Sequence, residues 1–197
     1  MPAPRITIPP HVEARIEAFD NRVDRFVDRW RGRPGPDKLF YAASNLGDHS
    51  LIWLVLGALR GLRSEHDARA AVRLGVGMGI ESARVNLGFK SLFRPARPTL
   101  EAERPYRLRK PRTSSFPSGH ATSAFTAAGL LAEDDDLWPL YYAIAVVVAW
   151  SRVHVKIHHA SDVVAGAAIG VVLGHLGRAV SPLPTRPVAL LNPAAES

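Results

Sequence analysis

Apolar residues in this chain come in tracts, and the charges crowd between them. Leu51–Leu62, Ala68–Phe89, Ser118–Ala132, Leu137–Trp150 and Val163–Gly177 are mostly apolar. Ahead of them, Val12, Ile16, Phe19, Val23, Phe26 and Val27 recur at helical spacing, with Glu, Asp and Arg on the opposite face. That pattern predicts an amphipathic helix over Val12–Trp30, lying on a membrane surface or on a helix bundle. Arg31–Pro36, reading RGRPGP, stops it. A second helix is predicted from Lys38 to Leu62, with Asn45, Gly47, Asp48 and His49 as a polar interruption. Ser64–Asp67 forms a turn and a third helix runs over Ala68–Lys90, with Glu81 and Arg84 at i, i+3 able to neutralise each other. After the polar loop Ser91–Phe116, a fourth helix begins near Ser118 and ends at the acidic run Glu133–Asp136, which reads as a solvated turn. The fifth covers Leu137–Arg152 and the sixth Ser161–Val180. The Pro- and Ala-rich tail Ser181–Ser197 reads as flexible. No strand alternation and no solenoid period is visible, so the fold class expected is all-α.

Three parts follow: residues 1–36 as N-terminal helix and linker, 37–180 as a helical core, and 181–197 as tail. The 197 residues fit one domain. Each apolar tract is near or below the roughly 20 residues that span a bilayer. Hydropathy alone therefore admits both buried soluble helices and short membrane spans. Met1–Asp37 is polar and amphipathic, and no signal peptide is visible in it. The absence of cysteine excludes disulfides and thiolate metal sites. Trp138, Tyr141 and Tyr142 beside the acidic run read equally well as a membrane-interface belt or as core packing.

The formal charge of +7 implies anionic partners: nucleic acid, anionic lipid or phosphorylated substrates. Its distribution narrows the choice. The loop Ser91–Phe116 holds Arg94, Arg97, Arg104, Arg107, Arg109, Lys110 and Arg112, and Tyr106 is the only aromatic between Arg94 and Arg112. A nucleic-acid binder is expected to interleave aromatics with its cations, so no nucleic-acid partner is expected.

If helices three to six are antiparallel, this loop and the turn Val153–Ala160 lie at one end of the bundle. Three polar groups meet there. The first is KSLFRPARP, with Lys90 and Arg97. The second is PSGH, Pro117–His120, whose glycine allows close backbone approach and whose N–H groups at a helix start favour an anion. The third is SRVHVKIHHASD, carrying Ser151, Arg152, His158 and Asp162. His158 and Asp162 are four apart, so a helical turn puts them on one face. Asp162 can then accept a proton from one ring nitrogen and leave the other to attack. Taken singly, Asp162 also reads as a helix cap, His120 as a core histidine and Lys90 as a snorkelling end residue. Taken together, cations, an N–H cradle, two histidines and an orienting carboxylate suit a tetrahedral oxyanion such as phosphate.

These stretches match K-x6-RP, PSGH and SR-x5-H-x3-D, and over about Asp37–Val180 the chain resembles the type 2 phosphatidic acid phosphatase (PAP2) family, the lipid phosphate phosphatases. TSSFPSGHATSA and SDVVAGAAIG also resemble actinobacterial members. The resemblance implies a membrane-embedded six-helix core and hydrolysis of a lipid phosphate monoester or diphosphate through a phosphohistidine. The candidate substrates are phosphatidate, phosphatidylglycerol phosphate, polyprenyl diphosphate or a polyprenyl-phosphoryl sugar phosphate. It implies His158 as nucleophile, Asp162 as its orienting partner and His120 as acid. Lys90, Arg97 and Arg152 would clamp the phosphoryl oxygens, with Ser118 and Gly119 donating hydrogen bonds. It implies no metal and no cofactor, because the cations already supply the charge. Ala160 departs from the proline that many members carry. The first helix looks too polar to span, giving an expectation of five crossings plus an interfacial helix. Gly75, Gly77, Gly79, Gly166 and Gly170 are expected at close helix contacts. His154 and His159, outside the pattern, are expected to make ordinary local contacts, and Asp48 and His49 to fall near the site, touching a headgroup or capping a helix. The charge asymmetry points the site to the cytoplasm. Vanadium haloperoxidases share the three motifs but are larger and soluble. A non-enzymatic lipid-phosphate binder is the other alternative.

Overall fold

The computed structural model describes residues 9–84, 98, 105–108 and 115–185, without the side chains of 81–84. Among these the chain is helical, with no strand. The helices are α1 (Pro10–Asp28), α2 (Pro34–Leu46), α3 (Leu51–Gly61), α4 (Glu65–Arg84), α5 (Gly119–Leu131), α6 (Trp138–His154) and α7 (Ala160–Val180).

The all-α expectation holds, with seven α-helices among the described residues where the pattern predicts six over the chain. The difference is the single helix expected over Lys38–Leu62. It breaks at its polar interruption into α2 and α3, joined by a 3-10 turn over Asp48–Ser50. His49 (φ 54°) and Ser50 (φ 59°) are both left-handed, so the α-helical hydrogen-bond ladder cannot run through. Asn45–His49 is the signal for that break. α2 begins at Pro34 rather than Lys38 because proline fits the first helical turn.

α5 and α7 form the spine, running parallel with their N-termini together. A Cβ on Gly166 would lie 2.5 Å from the Ser118 carbonyl oxygen, and one on Gly170 2.5 Å from that of Thr122. Gly174 meets Gly129 in the same row, where its Cβ would lie 3.2 Å from the Gly129 Cα. Glycine at every fourth position lets the backbones touch. The expectation for the glycines of α4 holds only at Gly77, whose Cβ would strike Leu130; Gly75 and Gly79 face open space. Trp53, Leu74, Met78, Leu130, Leu131, Tyr141 and Val148 fill the main core between α3, α4, α5 and α6.

The acidic run Glu133–Asp136 is only in part the solvated turn expected: Asp134 and Asp136 are exposed, but Glu133 and Asp135 are drawn into ion pairs. Asp135 is buried and pairs with Arg63 and Arg60, and it accepts from the Tyr141 hydroxyl at 2.9 Å. Burial alone would push the Asp135 carboxyl up; hydrogen bonds from Arg63, the Leu137 amide and Tyr141 outweigh it and hold it below the usual carboxylate range. Glu133 pairs with Arg73. The arginines also cap α5. Arg60 donates to the carbonyls of Leu131 (2.7 Å) and Glu133 (2.9 Å), Arg73 to Leu130 (2.8 Å) and Arg178 to Gly129 (2.6 Å). Cations at a helix C-terminus satisfy its orphan carbonyls and oppose its dipole. Tyr141 is therefore core, while Trp138 is exposed.

The outer faces are apolar. Leu51, Leu54, Val55 and Leu59 of α3, Val72, Val76 and Ile80 of α4, and Val164, Val172 and Leu176 of α7 are exposed in rows of helical period. Among the described residues, one helix, Ala160–Val180, is long and apolar enough by itself to cross a membrane.

Candidate active site

α1 lies on the bundle. Val23 and Val27 pack against Ala121, Ala149, Val153 and Val163, and Phe26 meets Trp150 edge-on at 6.5 Å. Its polar residues grip the turn between α6 and α7. Asp20 accepts from the Ser161 amide and hydroxyl, both at 2.7 Å, capping α7 from outside. Arg31 donates to the carbonyls of His154 (2.8 Å) and Val153 (2.7 Å), and Asp24 pairs with Lys156 at 3.0 Å. Burial alone would raise the Asp24 carboxyl; hydrogen bonds from Lys156 and Arg31 prevail and lower it. The exposed Phe26 and Trp30 carry Arg29 and Arg33 over their rings at 5.9 and 5.2 Å.

This turn carries His158, buried together with Ser151, Arg152, His154 and Asp162. The His158 and Ile157 amides both donate to the Arg152 carbonyl, at 3.2 and 3.1 Å, folding the turn back on the end of α6. His158 Nδ1 lies 3.4 Å from Asp162 Oδ2. That carboxylate also accepts from the His159 amide at 2.9 Å and from the Ser115 hydroxyl, which itself lies 3.5 Å from His158 Nδ1. Asp162 thus fills two roles that the sequence left as alternatives: it closes a capping box at the start of α7 and faces the imidazole. His159 is the N-cap of α7. His154 does more than make local contacts. Its Nε2 lies 2.7 Å from Asp37 Oδ1, and its ring packs on Phe40 at 4.6 Å.

PSGH forms the start of α5. Ser118 is its N-cap, accepting from the Ala121 amide at 3.5 Å. The Ser118 amide donates to the Asp162 carbonyl at 3.0 Å, which ties the two helix starts together. That amide is committed to the fold, and the Ala121 and Thr122 amides are bonded to Ser118, so of the two expected donors Gly119 is the one left as a candidate. His120, the second residue of α5, faces the break between α2 and α3: its Nε2 lies 2.9 Å from Asp48 Oδ1. Arg152 donates through Nη1 to Ser44 on α2.

The structure therefore gathers Ser118, Gly119, His120, Arg152, His158 and Asp162 at one end of α5, α6 and α7. Lys90 and Arg97 lie outside the described residues, as do Arg94, Arg104, Arg109, Lys110 and Arg112; the side chains of Glu81 and Arg84 are likewise outside. Among the described residues no group of three His, Asp or Glu has metal-binding geometry. Sequence reasoning missed Ser115 and Ser44. Ser115 sits in the quoted stretch TSSFPSGH, where a second hydroxyl three residues before Ser118 was the available signal. Ser44 is one turn before Asp48, and that spacing marks a polar helix face aimed at the site.

A parallel helix pair with two buried N-termini, a carboxylate-backed imidazole and a buried arginine defines a class: the chain belongs to the PAP2 superfamily, whose family model matches residues 70–182. More particularly, it is 33% identical to the decaprenylphosphoryl-5-phosphoribose phosphatase of Mycobacterium tuberculosis (strain H37Rv) over 142 residues, 72% of this chain and 78% of that one. Two solved structures share the fold. One is the transmembrane PAP2-type phosphatidylglycerolphosphate phosphatase of Bacillus subtilis, with a TM-score of 0.65 and 20% identity, covering 87% of each chain. The other is Aquifex aeolicus LpxE, with a TM-score of 0.64 and 23% identity, covering 79% of this chain and 92% of that one.

Proposed function

We propose that this chain is a metal-independent phosphatase of lipid-linked phosphates, with a polyprenyl-phosphoryl sugar phosphate as its first candidate substrate. The observation that carries the reading is the buried His158–Asp162 pair at the joined N-termini of α5 and α7. A carboxylate facing Nδ1 assigns that nitrogen the proton and leaves Nε2 as the nucleophile. The likeness to the mycobacterial enzyme directs the choice of lipid.

The chemistry runs in two steps. Nε2 of His158 attacks phosphorus, the P–O bond to the lipid breaks, and His120 gives a proton to the departing alkoxide. Water then attacks the phosphohistidine, His120 takes a proton from it, and phosphate leaves. Arg152, Lys90, Arg97 and the Gly119 amide would hold the phosphoryl oxygens as charge builds on them.

The exposed apolar rows on α3, α4 and α7 support a bilayer setting with several crossings, because lipid tails can cover them without cost. α1, with exposed aromatics under arginines, suits the interface. We read the site end as cytoplasmic. It carries cations of α1 and Arg107, whose carbonyl accepts from Asn45 at the end of α2, whereas Arg60, Arg73 and Arg178 at the far end cap α5. Labelling of a cysteine introduced at the exposed Arg107 tests this: modification by an impermeant reagent only after the membrane is opened is expected, and modification of intact cells would reverse the orientation.

The function is tested by phosphate release from purified protein across a panel of phosphatidate, phosphatidylglycerol phosphate, polyprenyl diphosphate and a polyprenyl-phosphoryl sugar phosphate. Release from the last at the highest kcat/KM, unaffected by EDTA and inhibited by vanadate, is expected. Stoichiometric binding without release on any member would replace the enzyme with a binding protein.

A further inference from the structure

The site contains a second carboxylate–imidazole pair that no signature motif covers. Asp48 lies in the 3-10 turn between α2 and α3, and its Oδ1 is 2.9 Å from Nε2 of His120. Both side chains are partly accessible, at 23% and 18%. The turn looks built for this contact. A Cβ on Gly47 would lie 2.8 Å from His120 Cδ2 and 3.0 Å from Val148, so only glycine lets the ring lie against the backbone. Two consecutive non-glycine residues, His49 and Ser50, are held in the left-handed region just beyond it. Such residues cost of order 1 kcal/mol or more each and gather where function requires them. Continuing α2 straight into α3 would remove that cost, but it would carry Asp48 away from His120.

One turn earlier on the same face, Ser44 accepts a hydrogen bond from Arg152. The end of α2 therefore reaches two members of the site, through side chains four residues apart. Among the described residues, the ionisable groups of the site that face this pair include Arg152 from α6 and His158 and Asp162 from the α6–α7 turn and α7. The Arg152 charge opposes a proton on His120, and the two carboxylates favour it.

We infer that Asp48 is a positioning residue for the general acid: its carboxylate, at ion-pair distance from Nε2, holds the ring by charge and favours its protonated form, so that Nδ1 delivers the proton to the leaving alkoxide. This rests on the role proposed above for His120. Nδ1–H passes its proton to the alkoxide oxygen as the P–O bond breaks. The neutral ring keeps its second proton on Nε2, beside Asp48, and presents the Nδ1 lone pair to the incoming water. The two imidazoles are thus oriented in opposite senses, His158 through Nδ1 and His120 through Nε2.

A leaving-group comparison separates this role from a structural one. Dodecyl phosphate needs its alkoxide protonated; p-nitrophenyl phosphate departs as a stable phenolate and scarcely needs an acid. Asp48→Asn is expected to lower kcat on dodecyl phosphate about 10- to 100-fold with KM little changed, and on p-nitrophenyl phosphate less than about fivefold. The alkaline limb of its dodecyl phosphate rate profile is expected to retreat to lower pH, and Asp48→Glu to recover part of the loss. Retained turnover of the aryl ester doubles as the check that the variant is folded; where Asp48→Asn loses its thermal transition, Asp48→Glu is read in the same way. Equal losses on the two esters with an unmoved pH limb would overturn the inference. His120→Ala serves as the reference. If it shows the leaving-group dependence and Asp48→Asn does not, only the role of Asp48 fails. If His120→Ala shows none, the acid assigned under the proposed function fails first.

Discussion

Replacing His158 with alanine is expected to lower phosphate release from a lipid phosphate by about 10⁴-fold or more, with the protein still folded. The size follows from the geometry around the ring. His158 is buried in a turn held at both ends: Ile157 and His158 donate to the Arg152 carbonyl, while Asp20 of α1 and Arg31 just beyond it fasten the flanking backbone. The imidazole therefore loses little freedom on attack, and among the described residues the two adjoining imidazoles are committed elsewhere. His159 caps α7 and His154 is engaged by Asp37. Removing the ring leaves a small cavity, which lowers stability by a few kcal/mol at most without moving the backbone clamps. A second readout isolates the nucleophile. Rapid quench of the wild type into alkaline SDS with a labelled substrate is expected to trap a phosphoenzyme that is base-stable and lost on acidification, absent in His158→Ala. Turnover unchanged in the variant would remove His158 from the reaction. A trapped species that persists in it would move the nucleophile elsewhere.

The three motifs were legible because their residue types are constrained by chemistry at fixed spacing. His158 and Asp162 meet because four residues make one helical turn. Ser118 could be recognised as a helix start because a serine before Gly-His and a run of small residues has the form of an N-cap. The partners of these residues were less legible for a physical reason: they come from a distant segment at a bend. Asp48 and His49 could be placed near the site end from topology. Their periodicity could not say that the helix breaks there, since both sides of the break keep helical spacing. Ser44 carries no pattern of its own and is used only because Arg152, 108 positions later, turns toward it. The acidic run failed differently. Glu133–Asp136 looks solvated in isolation, yet Arg60, Arg63 and Arg73 converge on it from α3, the α3–α4 turn and α4. Local charge density does not reveal whether the opposite charges have been folded onto it. The same limit applies to the glycines of α4: composition placed three at helix contacts, and the helix turns only Gly77 inward.

Gly166→Val is expected to reduce both stability and turnover, by about 1–3 kcal/mol or more and about 10²-fold respectively. The β-carbon at this position would lie 2.5 Å from the Ser118 carbonyl oxygen, a backbone atom, with Ala121 Cβ and Thr122 Oγ1 each at 3.2 Å. No rotamer can relieve a clash with backbone, so α7 must move away from α5. The contact lies one helical turn from Asp162, and the strained partner is the N-cap of the helix that carries His120. Separation there weakens the Ser118 N–H to Asp162 carbonyl hydrogen bond and widens the gap between the two imidazoles. A shift of about 1 Å between reacting groups suffices for a 10²-fold loss. Gly75→Ala and Gly79→Ala provide the control. Both add a methyl group to a helix of the same bundle, but into open space. They are expected to leave turnover unchanged and to raise stability by about 0.5–1 kcal/mol, since alanine restricts the unfolded chain more than glycine does. Thermal unfolding in detergent and kcat on dodecyl phosphate measure both quantities. If Gly166→Val matched the α4 variants, the close approach of α5 and α7 would not be what brings the two histidines to one phosphoryl group.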